Sequence, residues 1–176
     1  MLRTKAIALS IRPYKERDEL CSFFTKEFGR RTIVARGTKK PLSKLGPFLH
    51  GVAILDCGFV EGKNYPVLTS IDTLYDGGGN SSAHPLTPYS LAMLDLCDWL
   101  LYEEQQDEGL WNMLLGVVVQ TKEYTGTAAE SVYEQWLWQL LEILGVADRQ
   151  PIASHTRESL ASIFVEQWGK NPFFNR

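Results

Sequence analysis

Five apolar or β-branched runs, at 6–11, 20–25, 32–36, 48–60 and 67–75, occupy the first 75 residues. They are separated by R-P-Y-K-E-R-D, E-F-G-R, a basic loop and E-G-K-N-Y-P. Runs of this length and composition bounded by turn residues read as strands. An open five-stranded sheet with no helix on it would leave one face and two edges bare, so the expectation is a small closed barrel. Gly51 and Gly58 fall inside the fourth run, where glycine marks the bulge or sharp bend that a barrel corner needs.

Beyond residue 76 the texture changes. D-G-G-G-N-S-S is a flexible connector, and its glycines lack the Gly-Lys-Ser/Thr that a phosphate-binding loop requires. Thr87-Pro88 supplies an N-cap and a proline at the first helical position, opening a helix to about residue 102. Asp107 caps the next, whose Leu110, Met113, Leu114, Val117 and Val118 form one apolar stripe ending near Gly126. Thr127 and Glu130 have capping-box spacing ahead of Tyr133, Trp136, Leu137, Leu140, Leu141 and Leu144, and Gly145 ends that helix. A last helix runs from about Thr156 through Leu160, Ile163, Phe164 and Trp168. The pattern is α+β: a barrel over 1–76, a linker over 77–86 and an all-α bundle over 87–176.

The formal net charge of −3 hides two halves of opposite sign. Up to Tyr75, thirteen cations face seven anions for a net of +6; after it, five cations face fourteen carboxylates for −9. Residues 29–45 carry Arg30, Arg31, Arg36, Lys39, Lys40 and Lys44 with no acidic residue among them. A strand that ends in a glycine-containing basic loop offers phosphates both cations and free backbone N–H groups. The alternative is a solvated turn whose lysines keep an edge soluble.

Nothing in the sequence assembles a catalytic set. His50, His84 and His155 are isolated, and Glu103, Glu104, Asp107 and Glu108 read as solvated carboxylates and a helix cap rather than a magnesium site. The expectation is a non-enzyme without cofactor. Trp99, Trp111, Trp136, Trp138 and Trp168, at helical spacing in an acidic half, read as core or partner-groove residues. Cys21, Cys57 and Cys97 are odd in number and widely spaced, which suits small core residues and no disulfide framework. No apolar run approaches the roughly 20 residues of a membrane span, and the first residues lack a signal-peptide core, so the expected location is cytoplasmic.

K-A-I-A-L-S-I-R-P-Y-K-E-R-D-E-L, then F-F-T-K-E-F-G-R, then V-A-R-G-T-K-K-P-L-S-K-L-G-P-F, resemble in order and spacing the N-terminal domain of the RecO family of recombination mediators. The resemblance implies an OB-type barrel followed by a helical domain, in a nucleoid-associated DNA-repair protein that is not an enzyme. It implies binding to single- and double-stranded DNA, strand annealing, and, with a RecR-type partner, recombinase loading onto DNA coated by single-stranded DNA-binding protein. Carried onto this chain, the DNA-contact residues are Arg30, Arg31, Arg36, Lys39, Lys40 and Lys44, with Arg12, Lys15 and Arg17 as a second group. Phe23, Phe24 and Phe28 are base platforms or, on the burial habits of phenylalanine, barrel core. The acidic, phenylalanine-ending tail of single-stranded DNA-binding protein would seat in the helical half, with Arg149 and Arg157 as its cations. Many members insert a four-cysteine zinc module near where 145–151 lies here; its cysteines are missing and no zinc is expected. Two other readings stay open: a general OB-fold protein for RNA or single strands, and an interaction adaptor that no longer binds DNA.

Overall fold

The structure, a computed structural model, describes residues 1–78, 85–124, 126–146 and 157–173. Its first strand, β1 (Leu2–Pro13), is buried on both faces. Successive strand residues point to opposite sides of a sheet. Ala6 and Ala8 enter one core with Cys21, Phe23, Ile33, Leu55 and Phe59, while Ile7 and Leu9 enter another with Phe24 and the helices. The first core is the inside of a closed barrel made by β1, β2 (Glu19–Thr25), β3 (Gly29–Ala35), β4 (Ala53–Val60) and β5 (Val67–Asp76), in the order β1-β2-β3-β5-β4. Antiparallel pairing of β1 with β4, from Leu2 opposite Phe59 to Ile7 opposite Ile54, completes the circuit. β3 and β5 meet in parallel at Val34 and Val67.

The bulge expected at Gly58 is present, since the β4–β5 register shifts between Gly58 and Phe59. A Cβ at Gly58 would stand 2.5 Å from the Ser70 hydroxyl. The run 48–60, read as one strand, divides instead. Pro47 and Phe48 belong to a short helix, α1 (Gly46–Leu49), and Gly51 lies in the connection before β4 with φ +149°. Proline in the first turn presets helical φ, and Leu49 is buried against the barrel core, so burial at the barrel end overrides the extended pattern.

Among the described residues four helices follow: α2 (Thr87–Leu100), α3 (Glu108–Glu123), α4 (Ala129–Ile143) and α5 (Arg157–Trp168). Asp107 caps α3 as expected, its carboxylate accepting from the Leu110 N–H at 2.9 Å. The other two cap assignments are corrected. Leu86 holds the N-cap of α2 and Thr87 is already helical, with a buried hydroxyl that finds no partner; Ala128, not Thr127, precedes α4, without a side-chain cap. Leu86 and Ala129 are both buried in the core shared with the helices, and that burial sets the helix starts in place of the polar signal one residue away. The second core joins Leu94, Cys97, Leu114, Val118, Leu137, Leu141 and Phe164 to Ile7, Leu9, Phe24 and Val52 of the barrel half. The two halves thus share a hydrophobic core. Most of the expected linker, residues 79–84, lies outside the described residues, but Gly77 is docked, its N–H donating to the Val52 carbonyl at 2.8 Å. Cys21 and Cys57 sit in the barrel core and Cys97 in the shared one; burial pushes each thiol up to about 12.

An ionic seam runs beside the shared core. Asp98 of α2, 9% exposed, accepts from the Ser10 hydroxyl at 2.6 Å and from Arg30 Nε and Nη2 at 3.1 and 2.7 Å. Arg12 reaches the same carboxylate at 3.3 Å. Burial pushes the Asp98 carboxyl up, but hydrogen bonds from Ser10 and Arg30 outweigh it and hold the group below the ordinary carboxylate range. The segment after α2 continues the seam. Glu103 pairs with Arg30 at 2.9 Å and takes the Thr32 N–H and hydroxyl, while Glu104 donates its N–H to the Arg30 carbonyl and pairs with Arg31 at 2.5 Å. This approach demands glycine at 29: φ is +65°, and a Cβ there would lie 2.3 Å from the Gln105 carbonyl.

Two consequences are measurable by denaturant unfolding. Gly29→Ala should cost at least ~2 kcal/mol, because left-handed strain and a backbone clash add. Asp98→Ala should cost about 3 kcal/mol by stranding Arg30 without its main partner. Since folding lowers the Asp98 pKa, its contribution is complete above the unfolded value of about 4 and is lost as pH falls through the folded one. Asp98→Asn should therefore flatten the loss of stability on the acid side while lowering stability at about pH 7.

Candidate nucleic-acid interface

The basic loop 36–45 is held by its own backbone and by the neighbouring β1–β2 loop. Gly37, at φ +66°, donates its N–H to the Asp18 carboxylate at 2.8 Å, and Lys39 donates to the Arg17 carbonyl at 3.3 Å. Lys40 N–H bonds to Gly37 and Ser43 N–H to Lys40, and the Ser43 hydroxyl accepts from Leu45 and Gly46 at 3.3 and 3.0 Å. With the backbone engaged inward, Arg36, Lys39, Lys40 and Lys44 project into solvent beside the exposed Lys15 and Arg17. Among the described residues, none of these six forms an ion pair. The bonds between the loops bring cations 19 to 29 residues apart in the chain onto one surface.

Arg30 and Arg31 have a different setting. Their side chains are 12% and 16% exposed; Arg30 lies between Asp98 and Glu103, and Arg31 between Glu104 and Glu61. Arg12 is exposed but leans on Asp98. The run of cations that looks uniform in sequence is thus divided at the end of β3 into a neutralised part and a free part. The acidic pair Glu103 and Glu104, read as solvated, supplies the neutralising charge.

Between the β1–β2 loop and the β4–β5 loop lies a cleft of about 140 Å³ lined by Tyr14, Lys15, Asp18, Arg36, Lys63 and Tyr65, among others. The tyrosine rings meet edge to face, their centroids 5.9 Å apart, and Lys15 Nζ stands 5.3 Å from the Tyr14 centroid. Tyr14, Tyr65 and Lys63 are not among the contact residues expected from the sequence, although each sits in a turn beside other polar residues, which is where an aromatic has no core to fill. Phe23 and Phe24 are buried in the two cores, and Phe28 packs edge-on to Phe59 with centroids 5.7 Å apart. A second cavity, about 300 Å³ and apolar, lies where β1 meets α2, lined by Leu9, Ile11, Leu49, His50, Leu91 and Leu94.

In the helical half Trp111 and Trp136 are buried, the latter donating its indole N–H to Gln120 at 2.7 Å, while Trp99 is exposed beneath Lys170. Arg149 lies outside the described residues, as does the side chain of Arg157. The expected zinc-module position, 145–151, is described only to Val146. Among the described residues no group of His, Cys, Asp and Glu side chains is arranged to hold a metal ion, and no helix is long and apolar enough to cross a membrane.

The chain is thus an α+β protein whose barrel presents a free cationic surface on the β1–β2 loop and on the loop that follows β3. Its residues 1–75 match the family described as Recombination protein O N terminal. It is 27% identical over 166 residues to the DNA repair protein RecO of Salinibacter ruber, a match covering 89% of this chain and 60% of that protein. Against the RecO of Lactobacillus delbrueckii subsp. bulgaricus it is 30% identical over 141 residues, covering 76% and 53%, and against that of Syntrophomonas wolfei 32% over 106 residues, covering 58% and 41%. The chain is thus similar to RecO DNA-repair proteins, through the RecO N-terminal domain over residues 1–75 and more loosely beyond it, and it spans 60% or less of the length of these relatives.

The division of the cations has a direct test. Arg30→Ala should lower unfolding stability by about 3 kcal/mol, the cost of opening a buried ion pair. Arg36→Ala, a surface change, should stay within about 0.5 kcal/mol of the parent.

Proposed function

We propose that this chain is a recombination mediator that binds single- and double-stranded DNA through the cationic surface of its barrel, without catalysing a reaction. The observation that carries this reading is the set of exposed, unpaired cations Lys15, Arg17, Arg36, Lys39, Lys40 and Lys44 on two mutually braced loops. Such a surface contacts phosphates and fixes position, and among the described residues its cations stand on loops rather than on a helix that could read base edges, so binding is largely indifferent to sequence. The strand order, with a short helix between β3 and β4, supports an OB-type barrel, a fold that binds oligonucleotides. The net charge of −9 after Tyr75 repels a polyanion and favours protein contacts there. Strand annealing, recombinase loading with a RecR-type partner, and capture of the tail of single-stranded DNA-binding protein near Arg149 and Arg157 complete the proposal on the strength of the family.

If about five phosphates are neutralised, log K on single strands should fall with log salt at a slope of roughly −3.5, using about −0.7 per contact. Reversing Lys39, Lys40 and Lys44 to glutamate should weaken binding at least about tenfold and reduce that slope, with little effect on the melting temperature. Fluorescence anisotropy with labelled single strands and duplexes at several salt concentrations checks both statements. A flat salt response, or an unchanged affinity in the triple variant, would remove the barrel as the DNA site.

A further inference from the structure

We infer that the cleft between the β1–β2 and β4–β5 loops seats one unpaired nucleobase, with the Tyr14 ring as its stacking face and Tyr65 as the aromatic wall beside it. The inference rests on the reading that the basic barrel binds DNA, and it adds a preference that the phosphate contacts cannot supply. Tyr14 and Tyr65 are 38% and 37% exposed and belong to neither hydrophobic core. Their edge-to-face contact, 5.9 Å between centroids and 85° between planes, is made in solvent between two loops, and each ring keeps surface free. A cleft of about 140 Å³ has room for a single base and not for a base pair.

The charges around the cleft suit a nucleotide. Lys15, Arg36 and Lys63 line it. Asp18 also lines it, but its carboxylate accepts the Gly37 N–H and its carbonyl closes the turn onto the N–H groups of Tyr14 and Lys15. In the free protein the Lys15 ammonium stands over the Tyr14 ring. A base stacking on that ring displaces the ammonium towards the adjoining phosphate, so one residue covers the aromatic face before binding and neutralises the backbone after it. Bases inside a duplex have both faces covered by their neighbours, and only a base free of its stack can enter between two loops. The loop 36–45 then supplies affinity for any phosphate backbone, and the tyrosine cleft supplies selectivity for an unpaired strand.

The test uses the full chain and three labelled ligands: an oligothymidylate, the same length of strand with abasic sugars, and a hairpin duplex. The parent protein should bind the thymidylate at least roughly fivefold more tightly than the abasic strand, since stacking is lost while every phosphate remains. Replacing Tyr14→Ala and Tyr65→Ala together should weaken thymidylate binding about tenfold and leave the abasic strand and the duplex within about twofold. Tyr14→Phe with Tyr65→Phe should restore the preference, because rings and not hydroxyls make the contact. Equal affinity of the parent for thymidylate and abasic strands overturns the cleft, as does an equal loss on all three ligands in the alanine variant, and neither result touches the cationic loop. Failure of the parent to bind any of the three removes the DNA-binding reading and the cleft with it.

Discussion

The whole arrangement depends on β1 being buried on both faces. A strand of a free-standing small barrel would alternate between core and water, yet Ile7 and Leu9 face outward into the helices as completely as Ala6 and Ala8 face inward. Small residues inside and large ones outside follow from the space available: the barrel interior is filled by Phe23, Phe59, Leu55 and Leu49, whereas the outer face must reach α2 and beyond. The helical half therefore completes a layer that the barrel begins. Removing it would expose Ile7, Leu9, Phe24 and Val52 as a continuous apolar surface, the kind that soluble monomers rarely carry.

Charge follows the same division. The seam of Asp98, Glu103 and Glu104 against Arg30 and Arg31 forms where helices and barrel meet, and the cations left over lie beyond the far end of β3. A buried ion pair adds modestly to net stability but penalises any arrangement that separates its partners. Here it pins the segment 103–106 against the start of β3, at the opposite end of that strand from loop 36–45. The electrostatic asymmetry of the chain is thereby turned into a spatial one.

Much of this was legible from residue order. Strand runs separated by turn clusters predicted the five strands, and periodic stripes such as Leu110, Met113, Leu114 and Val117 predicted the helices with boundaries off by a few residues. The short helix at Gly46–Leu49 was not legible, because an apolar run next to a strand has no periodicity of its own. Nor were the caps at Leu86 and Ala128, where tertiary packing outweighs a polar side chain worth about 1 kcal/mol. In the candidate site, the exposed lysines followed from composition. The neutralisation of Arg30 and Arg31 did not, since it depends on carboxylates about 70 residues away. The pairing of Tyr14 with Tyr65 is likewise a contact between loops that only the closed barrel brings together.

The three thiols divide along the same line as the cores. Cys21 and Cys57 are enclosed by the barrel and Cys97 by the layer it shares with the helices, and the high thiol pKa values leave almost no thiolate near neutral pH. An alkylating reagent can therefore reach them only through openings of the fold, and two of the three report on one compartment while the third reports on the other. The chain carries a built-in pair of clocks, able to tell whether the helices lift from the barrel before the barrel itself opens, without any label being introduced.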